Sequence, residues 1–148
     1  MNVILIGGGK LVYFLGKEFS QKGLKATIIN NNPDDARMLA RETAATVIVG
    51  DGSDPLVLKA AAAYQADALV ALTSKDDVNL AACQIAKRYY DIPRTIALVN
   101  DPAYRDIFLQ LGVTVAFSAT KILANLIEER IGVDAIQALM PIAEGQLE

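Results

Sequence analysis

The chain has 148 residues, 53% of them apolar, a net charge of −3, a single cysteine and no histidine. That length suits one domain with a substantial core, and so high an apolar fraction implies elements buried on both faces, with apolar surface left for self-association. The acidic balance without any Lys/Arg block excludes a nucleic-acid partner, lone Cys83 excludes an internal disulfide framework and fits a reducing compartment, and the missing histidine removes the commonest general base and metal ligand.

Short β-branched runs alternate with longer helical stretches along the chain. Val3-Ile4-Leu5-Ile6 reads as a buried strand ended by Gly7-Gly8-Gly9, and Leu11, Leu15 and Phe19 then recur at helical spacing until Gly23. Ala26 to Ile29 is the second strand, and Pro33 opens a helix with Met38 and Leu39 on its inner side. Thr46 to Val49 is the third strand, after which Asp54-Pro55 caps a short helix reaching Ala62. Ala68 to Leu72 is the fourth strand; Thr73 to Asp77 leads into a long helix ending near Tyr90. Thr95 to Val99 and Val113 to Phe117 are the last strands, each followed by a helix, the final one running from Ser118 through Ile131.

This alternation predicts an α/β, Rossmann-like doubly wound parallel six-stranded sheet with helices on both faces, in the order 3-2-1-4-5-6. Residues 1–131 form that domain; 132–148, with Pro141 and Gly145, read as a linker or crossover tail toward a domain absent from the chain. The most apolar stretch, Leu56 to Leu72, is interrupted by Lys59, Gln65 and Asp67, so nothing reaches the roughly 20 apolar residues of a spanning helix. No basic region and apolar run follow Met1, and a cytoplasmic protein without direct membrane insertion is expected.

Glycines 7, 8 and 9 between a strand and a helix let the backbone turn tightly and approach a phosphate. Free N–H groups at the helix start, at Lys10 and Leu11, attract the anion, and Lys10 adds charge. The third glycine of the usual fingerprint is replaced by Val12, whose branched side chain is expected to push the helix outward or shift the phosphates. The second strand ends in Asn30-Asn31-Asn32, and Asn30 stands where dinucleotide folds carry an acid for the ribose hydroxyls. Its amide can accept a hydroxyl more weakly than a carboxylate would, and with no Lys or Arg beside it NADP is not favoured. Asp51-Gly52-Ser53 and Thr73-Ser74 follow the third and fourth strands, at the ends that flank the crevice. Each of these segments also serves as an ordinary turn or helix start. Asn100-Asp101-Pro102 is read as a structural cap and Cys83 as a small buried hydrophobe. Asp76-Asp77, about 100° apart on a helix, suit its N-terminal dipole better than shared chemistry.

Taken together, the chain resembles the TrkA-N family, also called RCK or KTN: cytoplasmic nucleotide-binding domains that regulate potassium channels and transporters. The resemblance is carried by Val3 to Lys10, by Gly50-Asp51-Gly52-Ser53-Asp54-Pro55, by Ala71 to Cys83, by Val99-Asn100-Asp101-Pro102-Ala103-Tyr104, and by Leu111-Gly112-Val113 with Ser118 to Leu126. It implies an adenine nucleotide in the crevice, NAD(H) first, with AMP, ADP or ATP left open by Val12 and Asn30. It implies a homodimer or higher ring, a final helix crossing to the neighbouring subunit, and a membrane-embedded potassium channel or transporter subunit as partner. Thr120-Lys121 offers no carboxylate where many members carry an acid, so no metal is expected there. The expectation is a sensor and not an enzyme. The competing readings are the cofactor domain of an NAD-dependent oxidoreductase, and a structural dimerisation unit with a decayed site in which Phe108, Leu109, Leu111 and Leu126 lie near the interface.

Overall fold

The apolar runs form six strands: β1 (Asn2–Ile6), β2 (Lys25–Asn30), β3 (Thr46–Val49), β4 (Ala68–Ala71), β5 (Arg94–Leu98) and β6 (Val115–Phe117). Between them lie α1 (Gly9–Gln21), α2 (Pro33–Glu42), α3 (Pro55–Ala60), α4 (Asp76–Tyr90) and α5 (Arg105–Gln110), and α6 (Ala119–Ile131) follows the last strand. The computed structural model describes residues 1–132, so the tail expected as a linker lies outside the described residues from 133 onward. The strands pair in parallel in the order β3-β2-β1-β4-β5-β6, the order expected from the sequence.

Local chemistry sets most boundaries. Asn32 caps α2, accepting from the N–H groups of Asp34 and Asp35, and Pro33 follows at the first helical position. Asp54 and Ser118 cap α3 and α6 in the same way. Several boundaries shift from expectation, and at two of them the local cause is plain. α3 stops at Ala60 because Ala62 adopts a left-handed φ of 59°, and a 3-10 turn, Ala63–Gln65, follows. β6 begins at Val115 and not Val113: opposite Thr95, the Thr114 hydroxyl accepts from the Thr95 N–H and the Thr95 hydroxyl from the Thr114 N–H. Side chains thus replace the ladder at that edge.

Strand side chains alternate between two layers. Ile4 and Ile6 of β1, Leu69 and Ala71 of β4 and Ala97 of β5 pack against Leu58, Ala82, Cys83, Ala86 and Phe108 of α3, α4 and α5. Phe108, expected near an interface, is a core residue only 2% exposed. Val3 and Leu5 point the other way and meet Ile28, Leu39 and Val12 beneath α1 and α2. Val12 is fully buried there, filling the space that the missing third glycine would have left.

The second layer is incomplete. α6 buries none of its residues, and Ile122, Leu123, Leu126, Ile127 and Ile131 are exposed along it. On the same sheet face as Val3 and Leu5, Val70, Leu98 and Phe117 are only partly buried and Val115 is 46% exposed. None of the helices among the described residues is long and apolar enough to cross a membrane.

Ile28 is fully buried at the centre of the α1/α2 layer. Ile28→Ala is expected to cost about 2–5 kcal/mol of unfolding free energy, seen as a lower denaturant midpoint with an unchanged slope.

Candidate functional site

The two crossovers that leave the central strands go to opposite sides of the sheet, opening a crevice at the carboxyl ends of β1 and β4. A cleft of about 540 Å³ lies there. Its floor is the turn after β1. Gly7 has a φ of +147° and Gly9 a φ of +69°, both in a region that side-chain-bearing residues rarely adopt. Gly8 is extended and caps α1. A Cβ on Gly8 would collide with the Asn30 amide nitrogen and the Asp35 carboxylate, which lie directly over it.

Those two side chains form one unit. Asn30 is only 4% exposed. Its Nδ2 donates to the Gly7 carbonyl (3.1 Å) and to Asp35 Oδ2 (2.7 Å), while its Oδ1 accepts from the Asn32 N–H (2.8 Å). Asp35 Oδ2 also accepts from the Gly9 N–H at 3.0 Å, satisfying one of the donors that open a helix. The sequence assigned the hydroxyl-accepting role to Asn30; the structure instead commits its amide to the loop and leaves the half-buried Asp35 carboxylate facing the cleft.

The opposite walls come from the turns after β3 and β4. Gly52 is needed because a Cβ there would run into the Ile6 side chain. Asp51 Oδ1 accepts from the Ser53 N–H and hydroxyl, at 2.8 and 2.7 Å. These bonds, the backbone one first, hold the Asp51 carboxyl below its usual value, with Lys75 adding a smaller pull. Thr73 is fixed from below by fully buried Asn79, whose Oδ1 accepts from the Thr73 N–H and hydroxyl and whose Nδ2 donates to the carbonyls of Thr73 and Leu98. Asn100 and Asp101 donate their N–H groups to the Asp76 carboxylate and so clamp the end of β5 onto α4, while Asp101 accepts from the Ala103 N–H and caps the 3-10 turn Pro102–Tyr104 ahead of α5.

Ten of the residues singled out in the sequence line this cleft: Gly7, Gly8, Gly9, Asn30, Asn31, Asn32, Asp51, Gly52, Thr73 and Ser74. Three do not. Lys10 borders a separate shallow groove with Tyr13, Met38 and Glu42, Leu11 is 51% exposed, and Ser53 donates to Asp51. The first-turn backbone N–H groups of Lys10 and Leu11 still lack acceptors within α1. Sequence reasoning missed Asp35 and Lys75, which line the cleft. The available signal for Asp35 was its place three residues after the Asn32 cap, where an acid normally folds back on the cap N–H; here Asn30 takes that N–H and frees it.

A six-stranded parallel sheet in this order, with a glycine turn facing the switch-point cleft, defines a Rossmann-type α/β domain. The TrkA-N domain model matches residues 3–119, and the chain belongs to that family. It is 32% identical over 148 residues to the Trk system potassium uptake protein TrkA homolog of Methanothermobacter thermautotrophicus, covering all of this chain and 68% of that protein. The Shewanella denitrificans Kef CTD in its AMP-bound form superposes with a TM-score of 0.71 at 27% identity, over 94% of this chain and 82% of the other. The GsuK channel bound to NAD shares the fold, with a TM-score of 0.77 at 19% identity over 87% of this chain and 23% of the channel chain.

Cys83 is 1% exposed, and burial pushes its thiol up from 9.0 to about 12. The unfolded chain therefore loses this proton first. The stability contributed by the neutral buried thiol is complete below pH 9 and is lost as pH rises toward 12. Native protein at pH 8 is expected to resist iodoacetamide and to be alkylated at one site only after denaturation, as read by intact mass.

Proposed function

We propose that the chain is a regulatory adenine-nucleotide-binding domain of a potassium-transport system, acting as a sensor and not as a catalyst. The observation that carries this reading is the glycine turn facing a cleft at the sheet's switch point. The cleft suits a nucleotide in size. Glycines stand at two of its walls, where added Cβ atoms would collide with Asn30 and Asp35 at Gly8 and with Ile6 at Gly52, and the start of α1 offers free N–H groups beside it. In this reading the phosphates lie against Gly7, Gly8 and Gly9 and the backbone N–H groups of Lys10 and Leu11. Asn31 and Asn32 flank the ribose, and Asp51, Gly52, Thr73 and Ser74 close the far walls.

The family membership and the TrkA relative support the potassium-transport context. The AMP-bound Kef domain and the NAD-bound GsuK channel support an adenine nucleotide as the ligand class; NAD(H) is the first candidate and AMP, ADP or ATP the alternative. The bare apolar stripe of α6 and the half-covered face of β4, β5 and β6 support a homodimer or ring in which the helix of one copy covers the sheet of another. Nucleotide binding then biases one arrangement of that assembly, and through it a membrane-embedded channel or transporter, by its differential affinity for the two states.

Calorimetric titration with NADH, NAD, AMP, ADP and ATP tests the ligand. At least one is expected to bind and, at a hundred times its Kd, to stabilise the fold by about 2.7 kcal/mol; silence from folded protein at millimolar nucleotide overturns the reading. For the assembly, Leu126→Lys places a charge in the α6 stripe. It is expected to shift the protein from dimer to monomer in sedimentation, and an unchanged dimer would remove α6 from the interface.

A further inference from the structure

β2 ends in Asn30 and not in an acid, yet a carboxylate reaches that strand end from α2: Asp35 Oδ2 lies 2.7 Å from Asn30 Nδ2. Three features of Asp35 distinguish it from an ordinary helix-capping acid. Its carboxylate lines the cleft beside Gly7, Gly8 and Gly9 and not the solvent face of α2. Its Oδ2 is held from two sides, by the Gly9 N–H at 3.0 Å and by Asn30 Nδ2 at 2.7 Å, so its orientation is fixed before any ligand arrives. Its Oδ1 takes part in none of the hydrogen bonds among the described residues. The Asn30 amide, by contrast, has both N–H groups and its oxygen engaged and is nearly sealed from solvent.

Building on the nucleotide reading above, we infer that Asp35 is the ribose-recognising residue of this cleft, with Asn30 positioning it, and that it selects nucleotides with a free 2′-hydroxyl. The chemistry follows from the geometry. A pre-oriented carboxylate oxygen at the carboxyl end of β2 accepts the ribose hydroxyls through charge-assisted hydrogen bonds. A 2′-phosphate placed there meets like charge. The α2 wall supplies no compensating cation: Arg37 is drawn outward to exposed Asp34 at 3.2 Å, and Arg41 lies beside Glu42 at 3.9 Å. Lys75 lines the cleft from the loop after β4, in the Thr73-Ser74-Lys75 segment. The ligand class is therefore an adenine ribonucleotide such as AMP, ADP, ATP or NAD, and not its 2′-phosphorylated or 2′-deoxy counterpart.

The test is a binding cycle on wild-type protein and Asp35→Asn, titrating AMP, ADP and ATP each against its 2′-deoxy form, NAD against NADP, and inorganic pyrophosphate alone. Wild type is expected to prefer the ribonucleotide by about tenfold or more. Asp35→Asn is expected to bring each pair to within about twofold and to narrow the gap between NAD and NADP. Asp35→Ser, which keeps a small polar side chain, serves if the first variant does not fold. No binding by wild type removes the nucleotide reading and this inference together. Binding with discrimination unchanged in a folded variant removes this inference alone. Tighter binding of every phosphate ligand, pyrophosphate included, also overturns it, because Asp35 would then be an internal anion competing for the Gly9 N–H.

Discussion

β1 is hydrogen-bonded to β2 on one side and β4 on the other, and this central position governs the rest of the molecule. A strand with neighbours on both edges and helices on both faces meets no water, which is why Val3, Ile4, Leu5 and Ile6 are all at most 5% exposed. The chain leaves β1 toward β2 on one side and returns through β4 on the other, so its carboxyl end is the point where the helices part. The ladder reaches into the turn: the Gly7 N–H donates to the Ile29 carbonyl and the Leu72 N–H to that of Ile6. The floor of the cleft thus begins as an extension of β1, with Gly7 tied to β2 by a ladder bond and the Gly9 N–H held by Asp35.

Buried amides carry that order outward. Asn79 joins the ends of β4 and β5 through the carbonyls of Thr73 and Leu98, and Asn30 joins the end of β2 to the turn after β1. Each is a polar side chain almost without solvent contact, and among the described residues no buried side-chain nitrogen or oxygen lacks a partner. Satisfied networks of this kind specify one arrangement, because any shift of a strand end strands a donor or acceptor in a low-dielectric interior. The consequence for function is a rigid rim around an otherwise open cleft.

The fold was legible because its signals are local and repeated. β-branched runs, prolines at helix starts and the caps Asn32, Asp54 and Ser118 each mark an element without reference to the others. The alternation of strand and helix then leaves few topologies. The cleft was legible where its residues sit in the turns that this topology brings together. What the sequence hid were effects that depend on side-chain direction. Lys10 looks like a phosphate contact by position, but it borders the neighbouring groove with Tyr13 and is not among the residues lining the cleft. Val12 looks like an obstruction, but it is absorbed into the layer beneath α1. Asp35 was overlooked because its role depends on Asn30 taking the N–H that it would otherwise have used, a choice made in three dimensions. The strand edge at Thr95 and Thr114 is similar: no strand pattern announces that two hydroxyls will substitute for backbone ladder bonds.

The Asn30 and Asp35 pair also limits how this site can change over evolutionary time. The 2.7 Å bond between them requires a donor on one side and an acceptor on the other. Placing an acid at the end of β2 through Asn30→Asp alone would set two carboxylates against each other over Gly8, with the donor between them gone. Removing Asp35 first would leave the Gly9 N–H without its carboxylate and one Asn30 donor without an acceptor. Neither single step passes through a comfortable intermediate, so the two positions exchange roles together or not at all. An acid at the end of β2 and an acid at position 35 are therefore alternatives, and the geometry here holds the one on the helix.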